Sequence, residues 1–201
     1  MARTGRPRNF DRDEAIWKAM MLFWEHGFES TSLAQLRTVM GNISAASFYA
    51  AFDSKESLFR EVIDRYIATF GQVTVSLVDR SLTPREAIEQ ALRGSAKMQT
   101  EETHPLGCLL VLSASTCSLE NAHIREMLAK ERALTRSRLL DCIQRAVSDG
   151  ELPTSTDIIM LTAVFETFLL GISTQSRDGV SFATMDAAIT QVMGIWDTLA
   201  Q

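Results

Sequence analysis

The stretch SAASFYAAFDSKESLF, residues 44–59, carries its polar chemistry sparsely: Ser44 and Ser47 near its start, one phenol at Tyr49 and one ammonium at Lys55. Lys55 sits where a helix should begin. A cation there opposes the helix macrodipole at a cost of about 0.3–1 kcal/mol unless an anion is bound. The same helix N-terminus favours a phosphate. Ala45, Ala46, Ala50 and Ala51 leave a smooth surface, which is what a groove about 12 Å wide admits. Phe48 and Phe52, four apart, are placed to hold such a helix to its own domain. A short core helix with an incidental lysine has the same pattern, so these residues alone leave both readings open.

The other reactive groups assemble less well. His104 and Cys108 are four apart, but Pro105 lies between them. A Cys–His nucleophile also needs an orienting group and an oxyanion hole, and the sequence offers neither. His104, Cys108, Cys117 and His123 do not match common zinc spacing. No glycine-rich phosphate loop is present. The expectation is therefore no catalytic residue, no metal and no cofactor. Cys108, near a helix start, is the best candidate for a redox- or electrophile-sensing thiol, which would require a lowered pKa.

These groups need elements to position them. Asp11 and Glu14 form a capping-box start, and apolar stripes run from Ile16 to Phe28 with Gly27 as the stop. Thr31 or Ser32 caps a second helix through Met40. Gly41-Asn42 breaks it, since both residues tolerate positive φ. Ser44 caps the short smooth helix, and Asp53 or Ser54 starts a fourth whose core face reaches Phe70. Thr83-Pro84-Arg85-Glu86 starts a fifth, running to about residue 100. Further helices are expected from about Leu106, over 121–148, 156–176 and 181–200. Val, Ile and Thr never alternate at length with polar residues, so the chain reads as all-α with about nine helices.

Charge divides the chain. The net charge is −5 over 201 residues, which by itself argues against a nucleic-acid binder. Residues 1–56 hold seven basic and seven acidic side chains, so the excess acid lies wholly beyond them. MARTGRPRNF carries Arg3, Arg6 and Arg8 and no acid, and reads as a flexible basic arm over 1–10. Residues 11–56 read as a helix-turn-helix unit and 57–201 as a second helical domain, with the helix from about 54 linking them. The start lacks the apolar run of a signal peptide, and no eighteen-residue apolar stretch is evident. A cytoplasmic chain with no membrane partner is expected.

Two short helices about a tight glycine turn, the second smooth, describe a helix-turn-helix. The run Phe23…Gly27-Phe28…Thr31-Ser32, then Gly41…Ser47-Phe48-Tyr49…Phe52…Lys55-Glu56…Leu58, closely resembles the DNA-binding domain of the tetracycline-repressor (TetR) family over about the first 65 residues. "GCLLV", residues 107–111, is similar to the start of the sixth helix in one subset of that family. The turn Gly41-Asn42-Ile43 is a residue longer than in most members. The resemblance implies a bacterial, nucleoid-associated homodimeric repressor that binds a palindromic operator and is released by an unknown small molecule. A helical scaffold binding only protein is the remote alternative. The DNA-contacting set is then Arg3, Arg6, Arg8, Thr31, Ser32, Asn42, Ser44, Ala45, Ala46, Ser47, Tyr49 and Lys55.

In the second domain, Phe59, Ile63, Tyr66, Phe70 and Met98 are candidates to line a cavity, with Leu106, Leu110, Met127, Phe165 and Phe168. The last two helices carry broad apolar faces, and a helix apolar nearly all round is normally buried on both sides. A second copy would cover Ile158, Leu161, Phe168, Leu169 and Ile172 on one helix, and Ile189, Val192, Met193 and Trp196 on the other.

Overall fold

The computed structural model describes residues 10–115 and 117–201; Arg3, Arg6 and Arg8 lie outside them. The described residues form nine α-helices and one 3-10 helix, with no strand. In order these are α1 (Arg12–Ser30), α2 (Leu33–Val39), α3 (Ala45–Phe52), α4 (Lys55–Ala68), a 3-10 helix (Phe70–Val78), α5 (Pro84–Gln99), α6 (Leu109–Ser115), α7 (Ala122–Ser148), α8 (Ile158–Arg177) and α9 (Phe182–Leu199).

Side chains written into the sequence set most helix starts. Asp11 accepts from the Glu14 amide, Ser32 and Gln35 form a reciprocal capping box, and Ser44 accepts from the Ser47 amide. Thr83 and Glu86 close a second capping box behind Pro84. Each such cap is worth about 1 kcal/mol. At α4 the cap is Ser54, which accepts from the Ser57 amide. Asp53 instead takes the positive φ of the turn, 62°. Gly27 adopts φ 77° inside α1, and helical structure resumes for one short stretch to Ser30. The fourth helix stops at Ala68, so Phe70 belongs to the 3-10 helix. The sixth begins at Leu109, not Leu106, because Gly107 has φ 82° and turns its N–H back to the Gln99 carbonyl at 3.0 Å.

Two cores result. The first gathers α1–α4 around Phe23, Phe48, Phe59 and Tyr66 and continues without a break to Met98, Leu109, Ile124 and Leu128. The hydrophobic interior of the helix-turn-helix is thus shared with α5, α6 and α7. The second joins α5, α7, α8 and α9. Trp24 of α1 belongs to the first. Its indole N–H donates to the Gly107 carbonyl at 3.0 Å, and its ring stacks on His104 with centroids 4.5 Å apart. Arg177, the last residue of α8, donates to the Trp24 and Glu25 carbonyls, both at 3.1 Å, and pairs with the Glu25 carboxylate.

The faces of α8 and α9 differ from the expectation. Leu161, Leu169, Ile172, Ile189, Met193 and Trp196 are buried in this chain's own second core. They are not available to a second copy, because the monomer already covers them. Ile158, Phe168 and Val192 are half-buried against the same core. The outward line of α8 is Met160, Ala163, Thr167 and Gly171, at three- and four-residue spacing, beside exposed Ile159. On α9 it includes Ala188, Gln191 and Ile195. This two-sided apolar character makes α8 long and apolar enough, by length and composition, to cross a membrane, against the sequence reading. Its inner face, however, is packed against α7 and α9 through Leu161, Phe165, Leu169 and Ile172.

Gly107 is the tightest point of the junction. A Cβ there would lie 2.5 Å from a Leu112 methyl and 2.9 Å from the Ser173 carbonyl, at a backbone φ that disfavours L residues. Gly107→Ala should therefore cost at least about 2 kcal/mol. Thermal unfolding of the two proteins measures it, and a melting temperature equal to that of the unsubstituted chain would show that the junction yields freely.

Candidate nucleic-acid interface and ligand cavity

The helix-turn-helix presents a small, polar-edged surface. Phe48 and Phe52 are buried and pin α3 to α1, α2 and α4. Ser44, Ala46, Ser47, Tyr49 and Ala50 face outward, and Ala45 is half-buried. The Ser44 and Ser47 hydroxyls lie 2.9 Å apart, so part of their capacity is spent on each other. Gly41 and Asn42 both take positive φ, 91° and 59°. The Arg37 guanidinium then ties the turn by donating to the Ile43 carbonyl at 2.8 Å. Arg37 was not singled out by sequence, since no spacing rule links it to a carbonyl six residues on.

Two of the expected contact residues behave differently. Thr31 is fully buried, and its hydroxyl donates to the Gly27 carbonyl at 2.7 Å. It closes the end of α1 and is not on the surface; Ser32 is exposed but serves as the α2 cap. Lys55 is half-buried, with its ammonium 4.3 Å from the centre of the Phe28 ring. Burial lowers its pKa, and the Glu29 carboxylate works in the opposite direction. Lys55 thus has an internal resting place in the absence of an anion. Tyr49 is half-exposed, its ring edge-on to Phe48. Phe10 packs edge-to-face on Phe52 and so brings the N-terminal end of the described chain beside α3.

A cavity of about 110 Å³ lies in the second domain. Tyr66 and Ile67 of α4, Val73 and Thr74 of the 3-10 helix, and Met98 and Gln99 of α5 form one side. Cys108, Leu110, Arg132, Thr135, Glu166 and Ser173 contribute the other. Of the expected lining, Tyr66, Met98 and Leu110 are there, joined by Leu169, assigned above to a subunit contact. Phe59, Ile63 and Phe165 are buried core residues instead. Phe59 is held between Phe23 and Phe28, and Phe165 against Trp196. Phe70 joins the Trp24, Tyr66 and His104 ring cluster. Leu106, Met127 and Phe168 are half-buried outside the cavity wall. The error has one cause: apolar periodicity finds buried faces, and cannot separate a face packed on atoms from one packed on space.

Polar chemistry enters this cavity. The Tyr66 hydroxyl donates to the Cys108 sulfur at 3.3 Å, and the Arg132 guanidinium donates to the Leu110 carbonyl at 2.7 Å. Burial pushes the Tyr66 hydroxyl pKa well up, with Cys108 adding to the effect. Burial also pushes the Cys108 thiol up, only partly offset by the Tyr66 hydrogen bond and nearby amides. That direction is opposite to the one a thiolate sensor needs. Gln99 Oε1, Glu166 Oε1 and Ser173 Oγ, all in cavity-lining residues, have no protein partner. Such buried groups cost about 1–3 kcal/mol each when unpaired. His104 stacks on Trp24, whereas His123 pairs with Glu56 at 3.1 Å.

Comparison with known proteins adds the following. Residues 16–62 match the sequence profile of bacterial regulatory proteins, tetR family, and residues 84–192 match a tetracyclin repressor-like C-terminal domain. The chain is 32% identical to the HTH-type transcriptional repressor ComR of Escherichia coli (strain K12), covering 98% of this chain and 94% of that one. It is 27% identical to the repressor BdcR of the same organism, over 91% of this chain and 87% of the other. A cysteine-substituted form of the TetR family transcriptional regulator CifR, solved in complex with 26-bp double-strand operator DNA, superposes with a TM-score of 0.88. It shares 36% identity and covers 95% of this chain and 100% of its own.

The cysteines provide a direct check on the electrostatics. Alkylation by iodoacetamide at pH 8 should modify Cys108 of the folded chain several-fold more slowly than after denaturation. Peptide mapping by mass spectrometry measures the two rates. Faster modification of Cys108 in the native state would mean a depressed pKa and would revive the thiol-sensing reading.

Proposed function

This chain belongs to the tetR family of bacterial regulatory proteins, and from that premise we propose that it is a homodimeric transcriptional repressor, released from a palindromic operator by a small molecule. The observation that carries the reading is a single continuous structure. A smooth, exposed α3 and a largely apolar cavity with a few polar groups in its wall are joined through one shared core and one buried indole hydrogen bond. Members of this family are regulators, not enzymes, and act in the cytoplasm. Operator binding would place this one on the nucleoid.

On DNA, α3 enters the major groove with Ala46, Ser47 and Ala50 toward the bases. Alanines touch thymine methyls, and serine pairs with more than one base edge. Neither α3 nor the turn offers an Arg, Lys or Gln side chain for a bidentate base contact, so direct readout is modest. Arg3, Arg6 and Arg8 supply the remainder by entering a narrow A·T-rich minor groove. Tyr49 and Lys55 contact backbone phosphates, with Lys55 leaving the Phe28 ring for a phosphate at the α4 N-terminus. Asn42 sits within the turn.

Dimerisation uses the outward lines of α8 and α9, where Ala163, Thr167, Gly171 and Ala188 let helices approach closely. Release follows from connectivity. The Gln99 side chain faces the cavity while its carbonyl holds the Gly107 N–H, and the Gly107 carbonyl holds Trp24 of α1. A ligand that pulls on Gln99 therefore reorients α1, and with it the spacing of the two α3 helices. It releases DNA only if it binds the non-operator spacing more tightly. The thiol-sensing alternative at Cys108 is not favoured, since burial raises that pKa.

Operator fragments recovered from the gene neighbourhood test the reading. Lys55→Ala should weaken binding to all sequences alike and reduce the slope of log K against log salt by about one per half-site. A change of base preference without a change of slope would remove Lys55 from the phosphate contacts. Trp24→Phe keeps the aromatic stack but deletes the indole N–H. It should hold operator affinity within about threefold, an estimate below one typical hydrogen bond, yet respond poorly to compounds that release the unsubstituted repressor. An unimpaired response would break the proposed link through Gly107.

A further inference from the structure

The cavity specifies what kind of molecule fills it. Three properties bear on this: size, charge balance and orphaned polar atoms. A volume of about 110 Å³ is of the same order as the apolar cavity of roughly 150 Å³ that accepts benzene. An occupant of about six non-hydrogen atoms is indicated.

The wall carries two carboxylates and two guanidinium groups: Glu131, Glu166, Arg132 and Arg138. Glu166 pairs with Arg136 at 2.6 Å, and the Arg132 guanidinium donates to the Leu110 carbonyl. With Arg136 counted, three guanidinium groups face two carboxylates, but Glu166 is already engaged by Arg136 and Arg132 by the Leu110 carbonyl, so neither is a free counter-charge for a charged ligand. An ion would be desolvated without a dedicated counter-charge.

The third property is the sharpest. Gln99 is 3% exposed and Ser173 fully buried, both line the cavity, and neither Gln99 Oε1 nor Ser173 Oγ meets a protein partner. Both residues flank Gly107. The Gln99 carbonyl accepts its N–H, and the Ser173 carbonyl packs where its Cβ would stand. Gln99 Oε1 can only accept. Ser173 Oγ can donate and accept. A hydroxyl has both matching capacities: it can donate to Gln99 Oε1 and accept from Ser173 Oγ. The Ile67, Val73, Met98 and Leu110 side chains leave an apolar volume beside them.

We propose that the cavity takes small, uncharged alcohols or phenols, an apolar body of about six heavy atoms whose hydroxyl docks on Gln99 and Ser173. This rests on the repressor reading only for its consequence at DNA; binding itself stands on the cavity. Hydroxyl docking at Gln99 also places the ligand at the first link of the path to Trp24.

The test uses the full-length protein without DNA. Isothermal titration compares phenol and cyclohexanol with toluene, which lacks the hydroxyl, and with benzoate, which carries charge. The hydroxylated probes should bind at least about fivefold more tightly than toluene, and benzoate should bind least. Ser173→Ala removes an orphaned group, so the unliganded protein should melt at an equal or higher temperature. The same substitution should erase the preference of phenol over toluene. Gln99→Leu should do the same. Equal binding of phenol and toluene, tighter binding of benzoate, or a preference untouched by both substitutions would overturn the proposal. A second measurement separates this from the repressor reading. Operator DNA retained by the protein, with no hydroxylated probe binding it, refutes the ligand class and leaves the repressor intact. Hydroxyl-dependent binding in a protein that ignores operator DNA supports the ligand class and refutes the repressor.

Discussion

The hydrogen bond from the Trp24 indole to the Gly107 carbonyl is the contact on which the arrangement of this molecule turns. It is buried, so its loss would leave a carbonyl without a partner in a low-dielectric interior, where that penalty is greatest. It joins the longest helix of the N-terminal unit to the loop that closes the cavity. Around it, Tyr66, Phe70 and His104 pack their rings on the same indole. Arg177 donates to the Trp24 carbonyl from the end of α8. One residue of α1 is therefore touched by α4, by the segment before α6 and by α8.

That convergence joins two units of different sequence character through one packed interior. The first core does not stop at α4 but runs on through Met98, Leu109, Ile124 and Leu128. Packed interiors transmit displacement because they have few voids to absorb it. The cavity is such a void, placed one residue from the junction: Cys108 lines it and Gly107 adjoins it. Gly107 must be glycine, since two different elements press on the position of its missing Cβ.

Surface chemistry follows a complementary logic. α3 is secured from behind by Phe48 and Phe52 and from its start by Ser44 and Arg37. Its outer face can stay plain because it has no role in holding itself in place. Lys55 rests over the Phe28 ring. The outer lines of α8 and α9 are likewise free of duties within the monomer, and their small residues suit a close helix–helix approach.

Much of this was legible in the sequence. Capping residues Asp11, Ser32, Ser44 and Thr83 announce helix starts because each needs only an amide two or three residues away. The inward Phe48 and Phe52, the Gly41-Asn42 turn and the family resemblance are local patterns of the same kind. What the tertiary structure decided is everything requiring knowledge of the opposite wall. Thr31 looked like a surface cap and is a buried clasp on Gly27. Leu161 and Trp196 looked like a subunit contact and fill the chain's own second core. Phe59 and Phe165 looked like cavity lining and touch other rings. Periodicity reports that a face is buried, but burial against a core, a cavity or a partner produces one and the same pattern. Only the fold, by bringing Gln99, Gly107 and Ser173 together from α5, the loop and α8, distinguishes them.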